Sequence, residues 1–358
     1  MSGVHVVVPA GIDDPTRPSG GNTYDRKICD GLVTLGWSVQ EYAVPGRWPW
    51  PDPAARAHLA RALGGVPDGG VVLLDGLVAS AVPEVLVPHG ERLRLVVLVH
   101  MPLGEASSAA DLAGVRARER RALGSAAAIV TTSGWTRRRL LDRYALPGNL
   151  IHVAAPGTDS ADLAPGSVSG RELLCVAAVT PPKGHDVLLE ALAAVADLPW
   201  RCTCVGSLAH DRDFVDGLRA RADQAGIAHR VRFTGPLTGE DLAAVYARSD
   251  LLVLASRAET YGMVVTEALA RGLPVVASSV GGVPEALSHG QHGTRPGLLV
   301  PAGDAPALAG ALRCWLSDAA RRQRLRHAAR SRRTTLPGWE QTSSEVSRVL
   351  AGVAGGVG

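Results

Sequence analysis

The sequence is poor in aromatic residues and carries little net charge. Phe, Trp and Tyr make up 4% of the 358 residues, and the formal net charge is +3. Proteins that bind single-stranded nucleic acid stack bases on aromatic side chains and attract phosphates with a strongly basic surface. A nucleic-acid partner is therefore not expected, although a few local cations could hold an anionic small molecule.

A long apolar run is also missing. The best candidate, residues 71–87, is interrupted by Asp75 and Glu84, whereas a membrane-spanning helix needs about 20 predominantly apolar residues. The first residues, MSGVH, contain neither the basic region nor the apolar core of a signal peptide. These absences lead us to expect a cytoplasmic protein.

Cysteine is scarce, with five residues that lack the spacing of a disulfide or metal framework. Cys202 and Cys204 flank Thr203 in a β-like run, where residues i and i+2 point to the same face of a strand. A metal site would need two further ligands near them, and none is evident. Buried free thiols are the favoured interpretation.

What the sequence does contain is a regular alternation of short apolar segments with helical segments. In the first half, the apolar segments are residues 4–10, 70–76, 94–102, 126–133 and 150–157. In the second half, they are residues 172–179, 200–206, 230–235, 250–256, 273–279 and 297–301. The chain is longer than one hydrophobic core usually supports. The pattern predicts two α/β domains, each with a parallel sheet that is covered on both faces.

A stretch of small and turn-forming residues, GTDSADLAPGSVSGR, separates the two series. We therefore place an N-terminal domain at residues 1–160, a linker at 161–171 and a C-terminal domain at 172–335. A Pro-Gly break then precedes one more predicted helix within residues 336–358.

Two glutamates, Glu259 and Glu267, flank the start of a predicted helix in the segment RAETYGMVVTEALARGLPVV. The helix follows the apolar segment 250–256, and ligands of open parallel sheets bind at the carboxyl ends of strands. Its first amides favour an anion such as phosphate, and Gly262 lets a ligand approach the backbone. Eight residues of helix span about 12 Å. Spacing alone leaves two interpretations open, a helix with ordinary solvated glutamates or a clamp for a hydroxylated ligand.

The segment SRAETYGMVVTEALARGLPVVASSVGGVPEAL, residues 256–287, resembles the signature of glycosyltransferase family 4, although Ala255 stands where the family often has proline. The similarity extends to PPKGHDVLLEAL, VRFTGPLTGEDLAAVYARSDLLVLAS and GLLVPAGD, and more loosely to SGGNTYDRKICDGLVTLGW and LVHMPLG in the first half. The family consists of retaining enzymes that use nucleotide sugars. The resemblance implies an α/β GT-B fold with two Rossmann-like domains facing across a cleft, and a final helix that packs back on the N-terminal domain.

The resemblance places the nucleotide sugar on the C-terminal domain. There, Lys183 is expected to neutralise the donor diphosphate, Glu259 to orient the sugar hydroxyls and Glu267 to bind the ribose. Leu237 is expected near the nucleobase. Further donor-binding candidates at the start of the glutamate helix are Tyr261, Gly262, Met263 and Val264. In the family mechanism the leaving diphosphate receives the acceptor proton, and a lysine replaces the metal ion that other transferases need.

The resemblance places the acceptor on the N-terminal domain. Gly20 and Gly21 are expected to lie close to the diphosphate and the acceptor, and Asn22 could add a side-chain hydrogen bond. His100 ends an apolar segment; a lone histidine there is often an ordinary core residue, but the family places one beside the transferred sugar. Asp75 has the same topological position and could contact the acceptor. With Lys183 and Glu259, His100 completes the predicted catalytic set.

One departure from the family concerns Ala178, which stands where a phosphate-binding arginine is common. Either another cation substitutes, or binding depends more on Lys183 and helix amides. The resemblance implies a UDP- or GDP-type donor, no cofactor, no metal and a hydroxylated acceptor that is a small molecule, a glycan or a lipid. A nucleotide-sugar epimerase or a phosphorylase on the same fold, or a non-catalytic sugar-nucleotide-binding protein, remains an alternative. The oligomeric state stays open.

Two arginine-rich runs require a separate interpretation. RRQRLRHAARSRR, residues 321–333, contains seven arginines. It could contact an anionic membrane or RNA, but we favour the solvated face of a helix whose other face carries Leu325, Ala328 and Ala329. The run WTRRRLLDRY, residues 135–144, could help to dock an anionic acceptor or a bilayer, which leaves peripheral membrane contact open.

Overall fold

The computed structural model of the protein describes residues 2–14, 18–106, 111–288 and 293–355. The chain divides into two compact units. The first unit is built from Ser19–Gly157 together with residues 2–14 and 338–355, and the second unit from Thr158–Pro337.

The first unit contains one six-stranded sheet, in which all strands are parallel. The strands are β1 (Gly3–Pro9), β2 (Ser38–Val44), β3 (Val71–Asp75), β4 (Arg94–Val99), β5 (Ala128–Thr131) and β6 (Ile151–Val153). Their order across the sheet is β2-β1-β3-β4-β5-β6. β3 and β5 are buried along their whole length, as their continuous apolar sequence predicts for strands covered on both faces.

Seven helices connect these strands, among the residues that the structure describes. They are α1 (Gly20–Thr34), α2 (Pro53–Gly64), α3 (Gly76–Ala79), α4 (Pro83–Gly90), α5 (Leu103–Ala106), α6 (Leu112–Gly124) and α7 (Gly134–Tyr144). Side chains cap several of them: Ser19 before α1, Asp52 before α2 and Ser133 before α7 each accept a backbone N–H of the first turn. Such caps satisfy amides that have no partner within the helix.

The second unit repeats the architecture with another parallel six-stranded sheet. Its strands are β7 (Glu172–Val176), β8 (Arg201–Val205), β9 (Val231–Gly235), β10 (Leu251–Leu254), β11 (Val275–Ser278) and β12 (Gly297–Val300), in the order β12-β11-β10-β7-β8-β9. Its helices are α8 (His185–Ala193), α9 (Arg212–Gln224), α10 (Gly239–Arg248), α11 (Met263–Ala270), α12 (Val283–Leu287), α13 (Ala305–Ser317) and α14 (Ala319–Arg333). The two predicted parallel sheets are thus confirmed.

The last helix, α15 (Trp339–Gly355), belongs to the first unit and packs on α1. A side chain at Gly31 would overlap Ser343, because an added Cβ would lie 2.0 Å from the Ser343 hydroxyl oxygen. Trp37 donates a hydrogen bond to the hydroxyl of Ser347 at 2.8 Å. Close helix contact at a glycine therefore fastens α15 to this unit.

Residues 167–172 are held to the second unit by a buried carboxylate. Asp250 accepts hydrogen bonds from the amide of Ser167 at 2.7 Å, from the Ser167 hydroxyl at 2.6 Å and from the amide of Glu172 at 2.9 Å. The indole of Trp315 donates to the carbonyl of Gly170 at 2.8 Å. The part of residues 161–171 nearest β7 is therefore anchored to the unit that it precedes.

The arginines of 321–333 are only partly a solvated face. On the inner side of α14, Leu325, Ala328 and Ala329 are buried, as expected. Four of the seven arginines, however, donate hydrogen bonds to groups of the same unit; these are Arg322, Arg326, Arg332 and Arg333. In the run 135–144, the side chain of Glu105 binds both Arg139 and Arg143.

The cysteine prediction is confirmed in its structural part, since all five thiols are free and four of them are buried. Across the described residues, none of the helices has the length and apolar character needed to traverse a bilayer.

Candidate active site

In the first unit, a buried cluster forms where β3 and β4 end. His100 follows β4 and Asp75 ends β3, so these neighbouring parallel strands deliver both side chains to one edge of the sheet. The imidazole Nε2 of His100 lies 2.7 Å from Oδ1 of Asp25, on α1, and 3.8 Å from Oδ2 of Asp75. The two carboxylates are 3% and 7% exposed. The structure thus brings together two of the predicted residues.

Asp25 was missed by the sequence analysis. Its signal is an acidic residue on the apolar face of α1, four residues after Gly21 and in helical register with Cys29 and Leu32, which are also buried. A buried carboxylate needs a partner to offset its loss of hydration. Such a residue in the helix that follows a Gly-Gly turn is therefore a candidate for the site.

The cluster controls the protonation of its own members. Burial lowers the pKa of His100, but the negative charge of Asp25, its hydrogen bond and the charge of Asp75 outweigh burial and raise that pKa to about 9. Burial and the charge of Asp25 raise the pKa of Asp75 to about 7, against the opposing charge of His100. At neutral pH the histidine is therefore an imidazolium, which donates hydrogen bonds and is not a base.

One atom of the cluster has no partner. Oδ2 of Asp25 is buried and receives no hydrogen bond from the described residues. Together with Asp75 and His100, Asp25 offers three atoms within 4.8 Å of one another that could hold a metal ion. The positive charge of the imidazolium opposes a second cation at this point, whereas a ligand hydroxyl could donate to the unpaired oxygen.

The Gly-Gly turn lies against the histidine. The hydroxyl of Ser19 accepts the amide of Asn22 at 3.1 Å, so α1 begins at Gly20. An added Cβ at Gly21 would lie 3.4 Å from the His100 ring. The absence of a side chain there keeps the ring free on that side. Asn22 takes part in this cap through its backbone amide.

Two further contacts hold His100 and its loop. The ring of Tyr24 packs edge-on against the imidazole at 5.1 Å, and against Trp339 of α15 at 5.6 Å. The fully buried carboxylate of Glu119 accepts the amide of Leu103 at 2.8 Å and the amide of Gly104 at 2.9 Å. Helix α15 and a buried acid therefore stabilise the segment on which the histidine lies.

In the second unit, an ion pair forms where β7 and β10 end. Lys183 ends a short 3-10 turn after β7, and Glu259 follows the neighbouring strand β10. Nζ of Lys183 lies 2.7 Å from Oε1 of Glu259, which also accepts the Ser256 hydroxyl at 2.9 Å. The lysine side chain is 30% exposed and the glutamate 10%. The sequence predicted both residues, and the structure shows that they are in direct contact.

Two glycines start the helices beside this ion pair. Gly184 precedes α8 and Gly262 precedes α11, and both have left-handed φ angles, of 67° and 89°. Neither helix has a side-chain cap. At Gly184 a Cβ would lie 2.0 Å from the carbonyl oxygen of Ala255, so only glycine fits. Neither N-cap residue therefore offers a side chain to the first amides, although in α8 the carboxylate of Asp186 accepts the amides of Asp186 and Val187. Helix starts without an N-cap side chain can bind anions.

Arg257 holds the turn that carries the lysine. Its guanidinium binds the carboxylate of Asp186 at 2.7 and 2.8 Å and the carbonyl of Pro181 at 2.8 Å, and its amide donates to the carbonyl of Pro182. Bidentate pairing fixes the planar guanidinium. Position 178 is uncharged, and Arg257 supplies a cation next to the Lys183 turn from another loop.

Glu267 lies on α11 and has a partner that the sequence did not reveal. The buried phenol of Tyr246, on α10, donates to Oε2 of Glu267 at 3.0 Å. Burial raises the pKa of Glu267, although the Tyr246 hydrogen bond and the charge of Arg271 oppose this shift.

The remaining donor-binding candidates differ in burial and in their position along the sheet. At the start of α11, Tyr261 and Gly262 are buried, whereas Met263 and Val264 are half-buried. Leu237 follows β9 at the edge of the sheet, and β8 separates this strand from β7. The loop of Leu237 therefore lies two strands away from the strand that precedes Lys183.

Known proteins resemble parts of this chain. Residues 167–332 match the family model described as glycosyl transferases group 1. Relatives named D-inositol 3-phosphate glycosyltransferase include the protein of Jonesia denitrificans, 31% identical over 251 residues, which are 64% of this chain and 58% of the relative. The protein of Corynebacterium glutamicum is 32% identical over 226 residues, 58% of this chain and 53% of the relative. The chain thus spans little more than half the length of these relatives.

Solved structures resemble the chain over nearly its whole length. Sucrose-phosphate synthase of Thermosynechococcus elongatus has a TM-score of 0.79 at 20% identity, covering 98% of this chain and 99% of that one. Anabaena HepE, in complex with UDP-glucose, has a TM-score of 0.76 at 18% identity, covering 98% and 100%. At such identities the likeness is evidence of fold. The chain has the GT-B fold, and its residues 167–332 are similar to the glycosyl transferases group 1 family.

Proposed function

We propose that the protein is a retaining glycosyltransferase that moves a sugar from a nucleoside-diphosphate sugar to a hydroxyl group of an acceptor. The observation that carries this proposal is the pair of Lys183 and Glu259, placed at the carboxyl ends of adjacent strands beside two helix starts without capping side chains. A cation and the positive end of a helix suit a diphosphate, and a carboxylate suits sugar hydroxyls. The UDP and UDP-glucose complexes of HepE support a donor of this class.

Lys183 has the chemistry to stabilise the leaving group. As the bond between the anomeric carbon and the phosphate oxygen breaks, negative charge grows on the diphosphate. The ammonium of Lys183 and the first amides of α8 and α11 would neutralise that charge, which lowers the barrier more than it strengthens ground-state binding. In this account the protein groups supply the electrostatic role that a metal ion has in other transferases.

Glu259 must exchange partners when the donor binds. In the structure its Oε1 accepts hydrogen bonds from both Lys183 and Ser256. Once Lys183 turns to the phosphates, Glu259 becomes free to accept hydroxyls of the transferred sugar, while Ser256 keeps the carboxylate oriented. Donor binding would therefore break the Lys183–Glu259 ion pair.

The proposed transfer retains the anomeric configuration, as the resemblance to glycosyltransferase family 4 implies. With its pKa raised to about 9, His100 would be an imidazolium at neutral pH and would not be the base of an inverting transfer, a role that would fall to a carboxylate such as Asp25. In the retaining reaction the acceptor oxygen attacks from the face on which the diphosphate departs. A diphosphate oxygen takes the acceptor proton, so that the products are the glycoside and the nucleoside diphosphate. The imidazolium would donate a hydrogen bond to a sugar or acceptor oxygen.

The proposal is tested by binding and then by product analysis. UDP, GDP and ADP and their glucose or mannose derivatives are titrated by calorimetry, and we expect one base to bind best. The matching donor is then incubated with a panel of sugar, cyclitol and lipid acceptors, and the anomeric configuration of any product is read by NMR. A product of inverted configuration would contradict retention. Donor conversion without acceptor would indicate an epimerase, and a phosphate requirement would indicate a phosphorylase.

A further inference from the structure

Tyr246 is a fully buried tyrosine whose hydroxyl has one described partner, the carboxylate of Glu267. The residue lies on α10 and Glu267 lies on α11, with the donor oxygen 3.0 Å from Oε2. A buried phenol needs such a partner, because its hydroxyl has lost contact with water. The hydrogen bond therefore fixes the position of the glutamate side chain relative to α10.

Arg271 holds this pair from the other side. Its guanidinium lies over the ring of Tyr246, 4.4 Å from the ring centre, and donates to the backbone carbonyl of Glu267 at 2.9 Å. Stacking of a planar cation on an aromatic ring is favourable and restricts the ring. The phenol is thus held between the core of the unit and Arg271, which leaves it little freedom to release the carboxylate.

The second oxygen of the carboxylate is left for a ligand. Within the described part of the chain, the hydrogen bond from Tyr246 is the one that reaches the Glu267 carboxylate, and it uses Oε2. Burial disfavours the anionic form, as the raised pKa of Glu267 records. Hydroxyl groups that donate to Oε1 would stabilise the anion, since a carboxylate can accept several hydrogen bonds.

We propose that Tyr246 is a positioning residue, which orients Glu267 so that its free oxygen reads the ribose diol and so restricts the donor to ribonucleotides over 2′-deoxyribonucleotides. This inference rests on the proposed function, in which Glu267 receives the ribose. A 2′-deoxy ligand would leave the partly buried oxygen short of one donor, and a site built for a hydroxyl rejects the analogue that lacks it. Tyr246 itself does not contact the ligand in this account.

The test compares paired nucleotides on wild-type protein and Tyr246→Phe, which removes one oxygen atom and keeps the ring. Affinities for UDP, GDP and ADP and for their 2′-deoxy forms are measured by calorimetry. We expect the wild type to prefer the ribonucleotide by about tenfold or more. In Tyr246→Phe the carboxylate is free to turn, so we expect this ratio to fall toward one while the ribonucleotide still binds.

Tyr144→Phe is the matched control. It also removes a phenol that donates to a buried carboxylate, that of Glu119, but in the first unit. We expect its ratio to equal that of the wild type, even if its melting temperature falls. Should Tyr246→Phe fail to fold, Arg271→Lys is the second variant. It keeps the positive charge but loses the planar group over the Tyr246 ring, so it should lower the ratio of ribonucleotide to 2′-deoxyribonucleotide affinity in part.

Two outcomes overturn the inference. A Tyr246→Phe ratio equal to that of the wild type means that the phenol does not set selectivity, and an equal loss of affinity for both nucleotides at that unchanged ratio means that its role is structural only. A wild type that binds ribonucleotides without preferring them shows that Glu267 does not read the diol, whereas failure to bind any nucleotide contradicts the proposed function as well.

Discussion

The Nε2 atom of His100 lies 2.7 Å from Oδ1 of Asp25, and this contact sets the charge of the histidine. Two residues separated by 75 positions in sequence form it. Burial alone would favour a neutral imidazole; the neighbouring anions reverse that preference. The role assigned to His100 as a hydrogen-bond donor therefore depends on Asp25.

Replacing Asp25 should lower the pKa of His100 and make the protein less stable at acidic and neutral pH. In Asp25→Asn we expect the pKa of His100 to fall from about 9 toward or below its ordinary 6.5, read by NMR. The folded pKa lies above the unfolded one, so the stabilisation is fully present below pH 6.5 and is lost as pH rises through about 9. The stability gap between wild type and variant should therefore be on the order of 3 kcal/mol at pH 6 and shrink toward pH 9. An unchanged His100 titration would refute this account.

Asp75 should impose its own pH dependence on stability. Its pKa is raised from 3.8 to about 7 in the folded protein, so folding favours the protonated carboxyl. The stabilising contribution is present below pH 3.8 and is lost as pH rises through about 7. Asp75→Asn keeps a neutral group of the same shape, so the fall in melting temperature between pH 4 and pH 7 should become shallower than in the wild type. Equal slopes in thermal scans of the two proteins would rule out a neutral Asp75.

Substitution of Lys183 and substitution of Glu259 should change the affinity for a nucleoside diphosphate in opposite directions. Lys183→Ala should weaken binding of the nucleoside diphosphate by about tenfold to a hundredfold, because a charge-assisted contact to phosphate is lost. Glu259→Gln should instead bind the free nucleoside diphosphate slightly better, by about fivefold at most, because Lys183 no longer has a competing anion. The same variant should transfer sugar much more slowly.

Calorimetry with the free diphosphate and with the sugar nucleotide separates these effects. Lys27→Ala, on α1 of the first unit, is a control for the loss of one lysine charge and should bind both ligands as the wild type does. Equal weakening of the free diphosphate in Lys183→Ala and Glu259→Gln would show that the pair acts as a structural unit only.

The buried carboxylate of Asp250 should contribute strongly to the free energy of unfolding. Its carboxylate is fully buried, accepts three hydrogen bonds from Ser167 and Glu172, and binds Arg326 at 2.6 Å. Asp250→Ala leaves these donors and a partly buried arginine unpaired, which should cost about 3–5 kcal/mol in urea unfolding. The control Asp197→Ala breaks an exposed pair with Arg313 and should change the unfolding free energy little. Comparable losses in both variants would contradict the importance of burial.

Removal of metal should leave transfer intact. In the proposed function, Lys183 and the helix amides would supply positive charge to the diphosphate, and an imidazolium at His100 would disfavour a cation between Asp25 and Asp75. Transfer rates are therefore expected to be equal with and without EDTA. Loss of activity in EDTA that Mn²⁺ or Mg²⁺ restores would require a metal ion in the reaction, and the same experiment on Asp25→Asn would show whether this cluster holds it.

The sequence by itself determined the architecture and the identity of several site candidates. Segments such as 71–75 and 128–131 are apolar at every position because both faces of a central parallel strand are covered, so their pattern predicts the strand and its burial. The carboxyl ends of parallel strands lie at one edge of their sheet, so His100 and Asp75 in the first unit and Lys183 and Glu259 in the second could be selected from their positions after apolar runs.

Only the tertiary structure decided which side chains become partners. Asp25 joins His100, Tyr246 joins Glu267 and Asp250 joins Ser167 across 75, 21 and 83 positions of sequence. Apolar periodicity indicates which face of a helix is buried, but not which residue of another element meets it. Contacts of this kind depend on how helices and loops pack over the sheet, and they set the charge of His100, the ion pairing of Lys183 and the orientation of Glu267.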